Sequence, residues 1–429
     1  MPIRPRAAVL AALAVLPLTA ALPQTASTAS TASVAATAAT AATGSMGSMG
    51  PASAGVPAHA PAQGRRIPAA PNCSGTVWAG GTGGYHTYRI PAIVTVGNTL
   101  VAFAEARRNS ALDNGDIDIV ERRSSDGGCT WSAQRVIAAD GTDTVDNPVP
   151  LVTADGNLVL VYNRQAGDVT QTQIEAGTVS AADNRRTFVQ TSSDAGVTWS
   201  ARREITSSVR KPEWRWDANG PGHGLTLENG SAPGRLVVAV GHSEAGPVWG
   251  GHLLLSDDDG RTWRIGASDD HIDGVVRPSE TSAAELPDGR IYLSTRDHTG
   301  SSPENRAYTY SADAGESFTS PFRPLTGFTT PAVEASVLQD PGLPAGVWCA
   351  PLLYSGPEDS TYRRHMTVRR SDDDGVTWHT ISELTAPTTP AAYSDMTKTS
   401  PSTLGVLYET GTAGPYERIA FATVPLTCP

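Results

Sequence analysis

From about residue 75 onward, the chain is built of short runs in which apolar and polar positions alternate or β-branched residues cluster. LVAFAEA (100–106), IDIVERR (117–123), NLVLVYNRQ (157–165), RLVVAVGH (235–242), RIYLSTRD (290–297), HMTVRR (365–370), TLGVLYE (403–409) and RIAFATV (418–424) are examples. A period of two places alternate side chains on opposite faces, the pattern of a strand. The 3.6-residue period of an amphipathic helix is nearly absent, so the expected class is all-β.

The polar stretches between these runs repeat. SSDGGCTW (124–131) returns as SSDAGVTW (192–199), SDDDGRTW (256–263), SADAGESF (311–318) and SDDDGVTW (371–378). Each copy follows a strand-like run and precedes another. Asp accepts backbone N–H groups and Gly takes positive φ, so the box predicts a tight hairpin with its Trp free to pack on a neighbour. Five copies cannot all face one site, which makes the box a structural staple. The run Asp257, Asp258, Asp259 lacks the spacing of a calcium loop. The copies recur at about 62 residues, room for four short strands each, which is the size of a propeller blade. The stretch from 75 to 429 holds close to six such units. The expectation is a six-bladed β-propeller with five boxed hairpins, in which RIAFATV joins the first blade to close the ring. Functional residues then come from several blades at one end of the axis.

The beginning of the chain differs. Arg4 and Arg6 precede the apolar stretch AAVLAALAVLPLTAAL, and small residues follow, so residues 1–23 have the pattern of a secretory signal peptide. Residues 24–70 are mostly Ala, Thr, Ser, Gly, Met and Pro with no acid, a composition that predicts a disordered linker. Residues 71–429 are then the propeller domain. No later stretch reaches the ~18 apolar residues of a membrane span. All 43 acidic residues lie beyond residue 70, whereas Arg4, Arg6, Arg65 and Arg66 of the 32 basic ones lie before it. The folded part is therefore more acidic than the whole-chain charge of −11, which argues against nucleic acid and anionic membrane surfaces as partners. Four cysteines, Cys73, Cys129, Cys349 and Cys428, allow two disulfides in three connectivities in an exported protein. No CxxC pair is present, and neither a metal nor a cofactor is expected.

The repeated S-x-D-x-G-x-T-W box together with YRIP (88–91) resembles the bacterial exo-α-sialidases over residues 75–429. The resemblance implies a secreted glycoside hydrolase that removes terminal sialic acid from glycoproteins, glycolipids or oligosaccharides with retention. It also implies the site. Arg89 of YRIP, Arg296 of RIYLSTRD and Arg363 of TYRRHMTVRR match three arginines that clamp the substrate carboxylate, with Arg364 the rival for the third place. Guanidinium groups suit that task because they bind a carboxylate bidentately and keep their charge when partly buried. Arg369 and Arg370, leading into the fifth box, are expected on the hairpin surface. Asp113 in ARRNSALDNGD matches the acid/base aspartate, Arg107 (or Arg108) a further substrate-contacting arginine, and Asn147 a polar position near the sugar's N-acetyl side. Glu280 in PSETSAAE matches the general base and Tyr393 in AAYSDM the nucleophile. Glu409 in LYE matches a carboxylate that holds Arg89; Glu285 and Tyr408 are expected to be structural.

A tyrosine nucleophile has a physical reason. Sialic acid carries a carboxylate on its anomeric carbon, and an anionic Asp or Glu would be repelled there, whereas a phenol is neutral. Alternatives of the same chemistry are a trans-sialidase or a hydrolase of a related nonulosonic acid. A non-catalytic carbohydrate-binding propeller is the alternative from another class, and it would be expected to lack Asp113, Glu280 or Tyr393. Linkage preference, natural glycoconjugate and oligomeric state are not encoded in these motifs.

Overall fold

The computed structural model describes residues 72–246, 248–269, 275–298, 304–339 and 351–426. The signal and linker segments, Cys349 and Cys428 lie outside the described residues. Among the described residues strands dominate, and the two helices, Gln171–Glu175 and Thr206–Val209, are single turns.

The strands fall into antiparallel groups in chain order. The first holds Thr87–Val96, Thr99–Arg107, Ile117–Ser124 and Arg135–Ala138, and the second Thr144–Val152, Leu158–Gln165, Arg186–Ser192 and Arg203–Glu204. The third holds Asp217–Asn219, Leu236–Ser243, Trp249–Ser256 and Arg264–Asp269, with Leu225–Thr226 beside Leu236–Ser243. Pro278–Glu285, Ile291–Asp297, Arg306–Ser311 and Arg323–Pro324 form the fourth; Ser336–Gln339, Leu352–Pro357, Met366–Ser371 and His379–Glu383 form the fifth. The last comprises Ala391–Ser400, Thr403–Thr410, Arg418–Pro425 and, from the other end of the chain, Ser74–Ala79.

The first strand of each group packs against the first strand of the next, and Ala391–Ser400 packs back on Thr87–Val96, so the arrangement is that of a propeller. By hydrogen bonding alone the described residues form five sheets rather than six, one of them eight-stranded. The reason is a single parallel pairing, Ile117 with Thr144, which fuses the first two groups.

Most of the core lies between adjacent groups. Val149, Leu151, Val159 and Val161 meet Leu236, Val238, Val240, Leu254 and Trp263 in one such layer. Sheets covered on both faces explain why runs such as RLVVAVGH are continuously apolar rather than strictly alternating.

The box closes on itself as its residue types predict. Ser124 Oγ donates to Asp126 Oδ1 (2.7 Å), and Asp126 accepts from the backbone N–H (2.9 Å) and hydroxyl (2.6 Å) of Thr130. The same bonds recur around Asp194, Asp258, Asp313 and Asp373. A Cβ on Gly128 (φ +93°) would stand 2.0 Å from Phe421, so this glycine is required by the close approach of the neighbouring sheet. The box tryptophans staple adjacent sheets: Trp131 packs edge-on against Phe421 (5.4 Å) and Trp199 against Phe103 (5.9 Å).

Two expectations are corrected. Arg418–Pro425 does not join the first group. It stays between Thr403–Thr410 and Ser74–Ala79, so the ring is closed by the first strand rather than the last. The disulfide Cys73–Cys129 ties that closing strand to the first box. Arg369 and Arg370 are buried, not surface residues. Arg369 lies over the Phe328 ring (4.4 Å) and donates to Pro357 O, so its stem fills core while its head finds a carbonyl.

Candidate active site

Four of the first strands carry an irregularity at the same end, and each falls on a predicted site residue. Pairing slips between Arg89 and Ala92, between Asp146 and Val149, between Pro278 and Thr281, and between Ala391 and Ser394. Ile90 and Asn147, inside the first two, have φ of +56° and +53°. Bulges bend a strand and redirect its side chains. Here they turn Arg89, Asn147, Glu280 and Tyr393 toward one mouth of the axis.

Tyr393 is the centre of the arrangement and is buried. Its hydroxyl donates to Glu280 Oε1 in a short hydrogen bond, and Arg296 Nη1 reaches the phenol oxygen (3.4 Å) and Glu280 Oε2 (2.8 Å). The guanidinium of Arg89 lies 4.8 Å from the centre of the Tyr393 ring and that of Arg363 5.4 Å from it. The three arginines therefore converge on one ring. Arg364 instead turns to Asp359 (2.6 Å).

Like charges this close need compensation. Glu409, fully buried, accepts four N–H bonds: Arg89 Nε (3.1 Å) and Ile90 N (2.9 Å) on Oε1, Arg89 Nη2 (3.3 Å) and Tyr393 N (3.2 Å) on Oε2. The ring of Tyr416 lies 4.1 Å from the Arg89 guanidinium, and its hydroxyl accepts from Arg363 Nη1 (2.7 Å). Asp113 stands at the mouth with its side chain 84 % exposed, held by Arg107 Nη1 (2.7 Å) and Arg89 Nη1 (3.3 Å). Arg107 in turn is gripped by Glu105 (2.7 and 3.0 Å), while Arg108 turns away to Asp116 and Asp118. Asn147 sits beside this site, but its side chain already donates to Asn219 O (3.0 Å) and accepts from Arg185 (3.3 Å). Glu285 accepts from the backbone of Glu228 and Asn229 at the far end of its strand, and Tyr408 is buried in a hydrophobic cluster.

The protonation states follow from these contacts. Burial pushes the Tyr393 phenol well up, and the Glu280 carboxylate adds to it; the three arginines offset only part. For Glu280, burial acts to raise the carboxyl, but Arg296 and the Tyr393 hydroxyl outweigh it and hold it below the usual range. A neutral phenol thus faces an ionised carboxylate. For Asp113, exposed as its side chain is, the surrounding protein displaces some hydration and so acts upward, yet Arg107 and then Arg89 prevail, and the carboxyl is held low.

The sequence reading did not single out Tyr416, Glu105, Glu334 or the pair His223–Asp395 (2.6 Å). Of these, only Glu105 had a visible signal, since AFAE aligns with VLYE of the last sheet. A cavity of about 510 Å³ opens at the opposite mouth of the axis, between Thr95, Val152, Thr226, Gln339 and Thr397. Of the residues above only His223 and Glu285 line it, and Glu285 is already satisfied by backbone donors. Among the described residues no group of three or more His, Cys, Asp or Glu is placed to hold a metal ion.

Residues 98–406 match the BNR repeat-like domain. The chain is 33 % identical to a sialidase of Micromonospora viridifaciens over 359 residues, covering 81 % of this chain and 54 % of that protein. The chain belongs to the bacterial sialidase family of BNR repeat-like proteins. It is also 29 % identical to an exo-alpha-sialidase of Aspergillus fumigatus over 353 residues, covering 76 % of this chain and 79 % of that one. In three dimensions it is similar to the Hadza microbial sialidase Hz136, with a TM-score of 0.67, 27 % identity, and coverage of 80 % of this chain and 66 % of the other. This sialidase-family chain thus spans about half the length of its Micromonospora relative.

Proposed function

We propose that the protein is a retaining exo-α-sialidase that hydrolyses terminal sialic acids of glycoconjugates through a covalent bond to Tyr393. One observation carries the reading: a buried tyrosine hydroxyl donates to an ionised Glu280 beneath three convergent arginines. Arg89, Arg296 and Arg363 bind the substrate carboxylate. Glu280 takes the phenol proton as the Tyr393 oxygen attacks the anomeric carbon. Asp113 gives its proton to the departing glycosidic oxygen, then removes one from the water that attacks the same carbon. Displacement twice at one centre retains configuration.

Asp113 must be protonated for the first step, whereas the free site favours its carboxylate. The charge balance supplies the link. Around the site Arg89, Arg107, Arg296 and Arg363 face Glu105, Asp113, Glu280 and Glu409. An entering substrate carboxylate competes with Asp113 for Arg89 and adds a negative charge, so binding favours a proton on Asp113. We read the ring as six blades, with the first two joined by the Ile117–Thr144 pairing. The signal pattern of residues 1–23 and the Cys73–Cys129 disulfide support export.

The test is release of free sialic acid from a fluorogenic α-sialoside, with the anomer of the first product read by proton NMR. The α-anomer is expected first. Release of the β-anomer first would refute the double displacement, and no release would refute the hydrolase.

A further inference from the structure

The bulge that aims Tyr393 leaves two backbone donors to be satisfied. One, the Tyr393 N–H, goes to Glu409. The other, the Ser394 N–H, goes to Glu334 Oε2 (3.1 Å). Glu334 comes from the segment leading into Ser336–Gln339, is 2 % exposed, and its second oxygen has no hydrogen-bond partner among the described residues. Two buried carboxyl groups distant in sequence thus hold consecutive N–H groups.

We propose that Glu334 positions the nucleophile, gripping the Tyr393–Ser394 backbone while Glu409 grips it through the preceding N–H. The inference rests on the reading of Tyr393 as nucleophile. The surroundings say in which form Glu334 acts. Glu280, Asp395 and Arg306 face it from three strands, and Asp395 is paired with His223. Glu280 has Arg296 and Glu409 has Arg89 as cationic partners, and Asp395 is hydrogen-bonded to His223. Arg306, the guanidinium that opposes these charges, instead donates to Val333 O (2.6 Å). Burial first, then the charges of Glu280 and Asp395, push its carboxyl well up. These surroundings favour the neutral form of Glu334. In that form it can accept the Ser394 N–H without adding a negative charge beside Glu280, whose basicity toward Tyr393 is thereby left to Arg296.

The experiment compares the rate at which a 2,3-difluorosialic acid labels Tyr393, located by peptide mass spectrometry, in the parent, Glu334→Gln, Glu334→Asp and Glu334→Ala. The inhibition constant of a 2,3-didehydro sialic acid reports the arginine clamp separately. The glutamine keeps a neutral acceptor in place and should label within about threefold of the parent. The aspartate withdraws the acceptor by one methylene and the alanine removes it. Each should label roughly 10- to 100-fold more slowly, since a displacement near 1 Å costs on the order of 10²-fold, while inhibitor affinity stays within about threefold. If the alanine variant does not fold, the aspartate and glutamine arms decide. Parental labelling in the aspartate or alanine variant would overturn the inference, as would a glutamine variant as slow as the aspartate. A parent labelled elsewhere than Tyr393 would instead overturn the nucleophile assignment, and the inference with it.

Discussion

Glu409→Gln is the most demanding test of how the site is held. The side chain is fully buried, and each of its two oxygens accepts two N–H groups. An amide keeps only one oxygen. In one orientation its NH₂ confronts Arg89 Nε and Ile90 N; in the other it confronts Arg89 Nη2 and Tyr393 N. No flip avoids the conflict, and the Arg89 guanidinium, with only 6 % of its side chain exposed, loses its buried counter-charge and keeps only the exposed Asp113. Breaking a buried pair by removing one partner costs about 3–5 kcal/mol. Adding up the individual bonds, one charged at about 1.5–3 and one neutral at about 0.5–1.5 kcal/mol, gives a similar figure for the same loss. Urea unfolding should show a destabilisation of about 3–5 kcal/mol with an unchanged m-value. Where the variant is folded, KM should rise because Arg89 is released, and kcat should fall because the Tyr393 amide is. A variant within 1 kcal/mol of the parent, with parental KM, would show that Glu409 does not organise the clamp.

Four further outcomes are expected. Arg296→Lys should lower kcat/KM by roughly 10- to 100-fold, because one Nη serves both Glu280 and Tyr393 and a point charge cannot keep both bonds; parental kinetics would count against the clamp. In pH profiles the alkaline limb of kcat should lie above that of kcat/KM, because Asp113 is held low in the free site and released by substrate; coincident limbs would refute the coupling. Asp113→Ala should lose about 10²–10⁴-fold on sialyl-lactose but much less on an aryl sialoside with an acidic phenol, in single-turnover rates; equal losses would point to another acid, Asp116 first. Asp126 is lowered to about 2 by the Thr130 hydroxyl and N–H, so its contribution is present above its unfolded pKa and lost as pH falls through about 2. Asp126→Asn should therefore lower Tm at pH 7 and differ less from the parent toward pH 2; a constant difference would refute the assignment.

What the sequence displayed was local. The box is legible because its bonds span four residues, from Ser124 and Asp126 to Thr130, and the residue types alone impose the turn. Closure of the ring was misread because Ser74–Ala79 meets Arg418–Pro425 across the whole chain, and no local pattern says which end supplies the last strand. Arg363 and Arg364 could not be separated by spacing, since adjacent residues in a loop differ only in where Asp359 and Tyr416 lie. Arg369 read as surface because a charged residue beside a hairpin usually is, and only the aromatic faces of Phe328 and Tyr354 explain its burial. Tyr416 and Glu334 have no motif of their own; each is defined by partners far away in sequence.

The deeper regularity is one repeat position put to several uses. In the second strands, the residue paired with the box serine is Leu100, Leu158, Leu236, Ile291 or Leu352. Five residues further on stand Glu105, Asn163, Gly241, Arg296 and Pro357, and in the unboxed last sheet Leu404 leads likewise to Glu409. Glu409, Glu105 and Asn163 each accept a backbone N–H from the first strand of the following group: Ile90, Asn147 and Asn219. At Gly241 that backbone comes so close that a Cβ would stand 2.3 Å from Ser279 O. Arg296, at the same position, instead aims a cation at Glu280 and Tyr393. A propeller presents this position at the mouth of its axis in every unit. The fold therefore needs only a carboxylate or amide there to hold a bulge, a glycine to admit one, and an arginine to bind an anion. That is how residues as far apart as Arg89 and Glu409 come to share one site without any contiguous motif joining them.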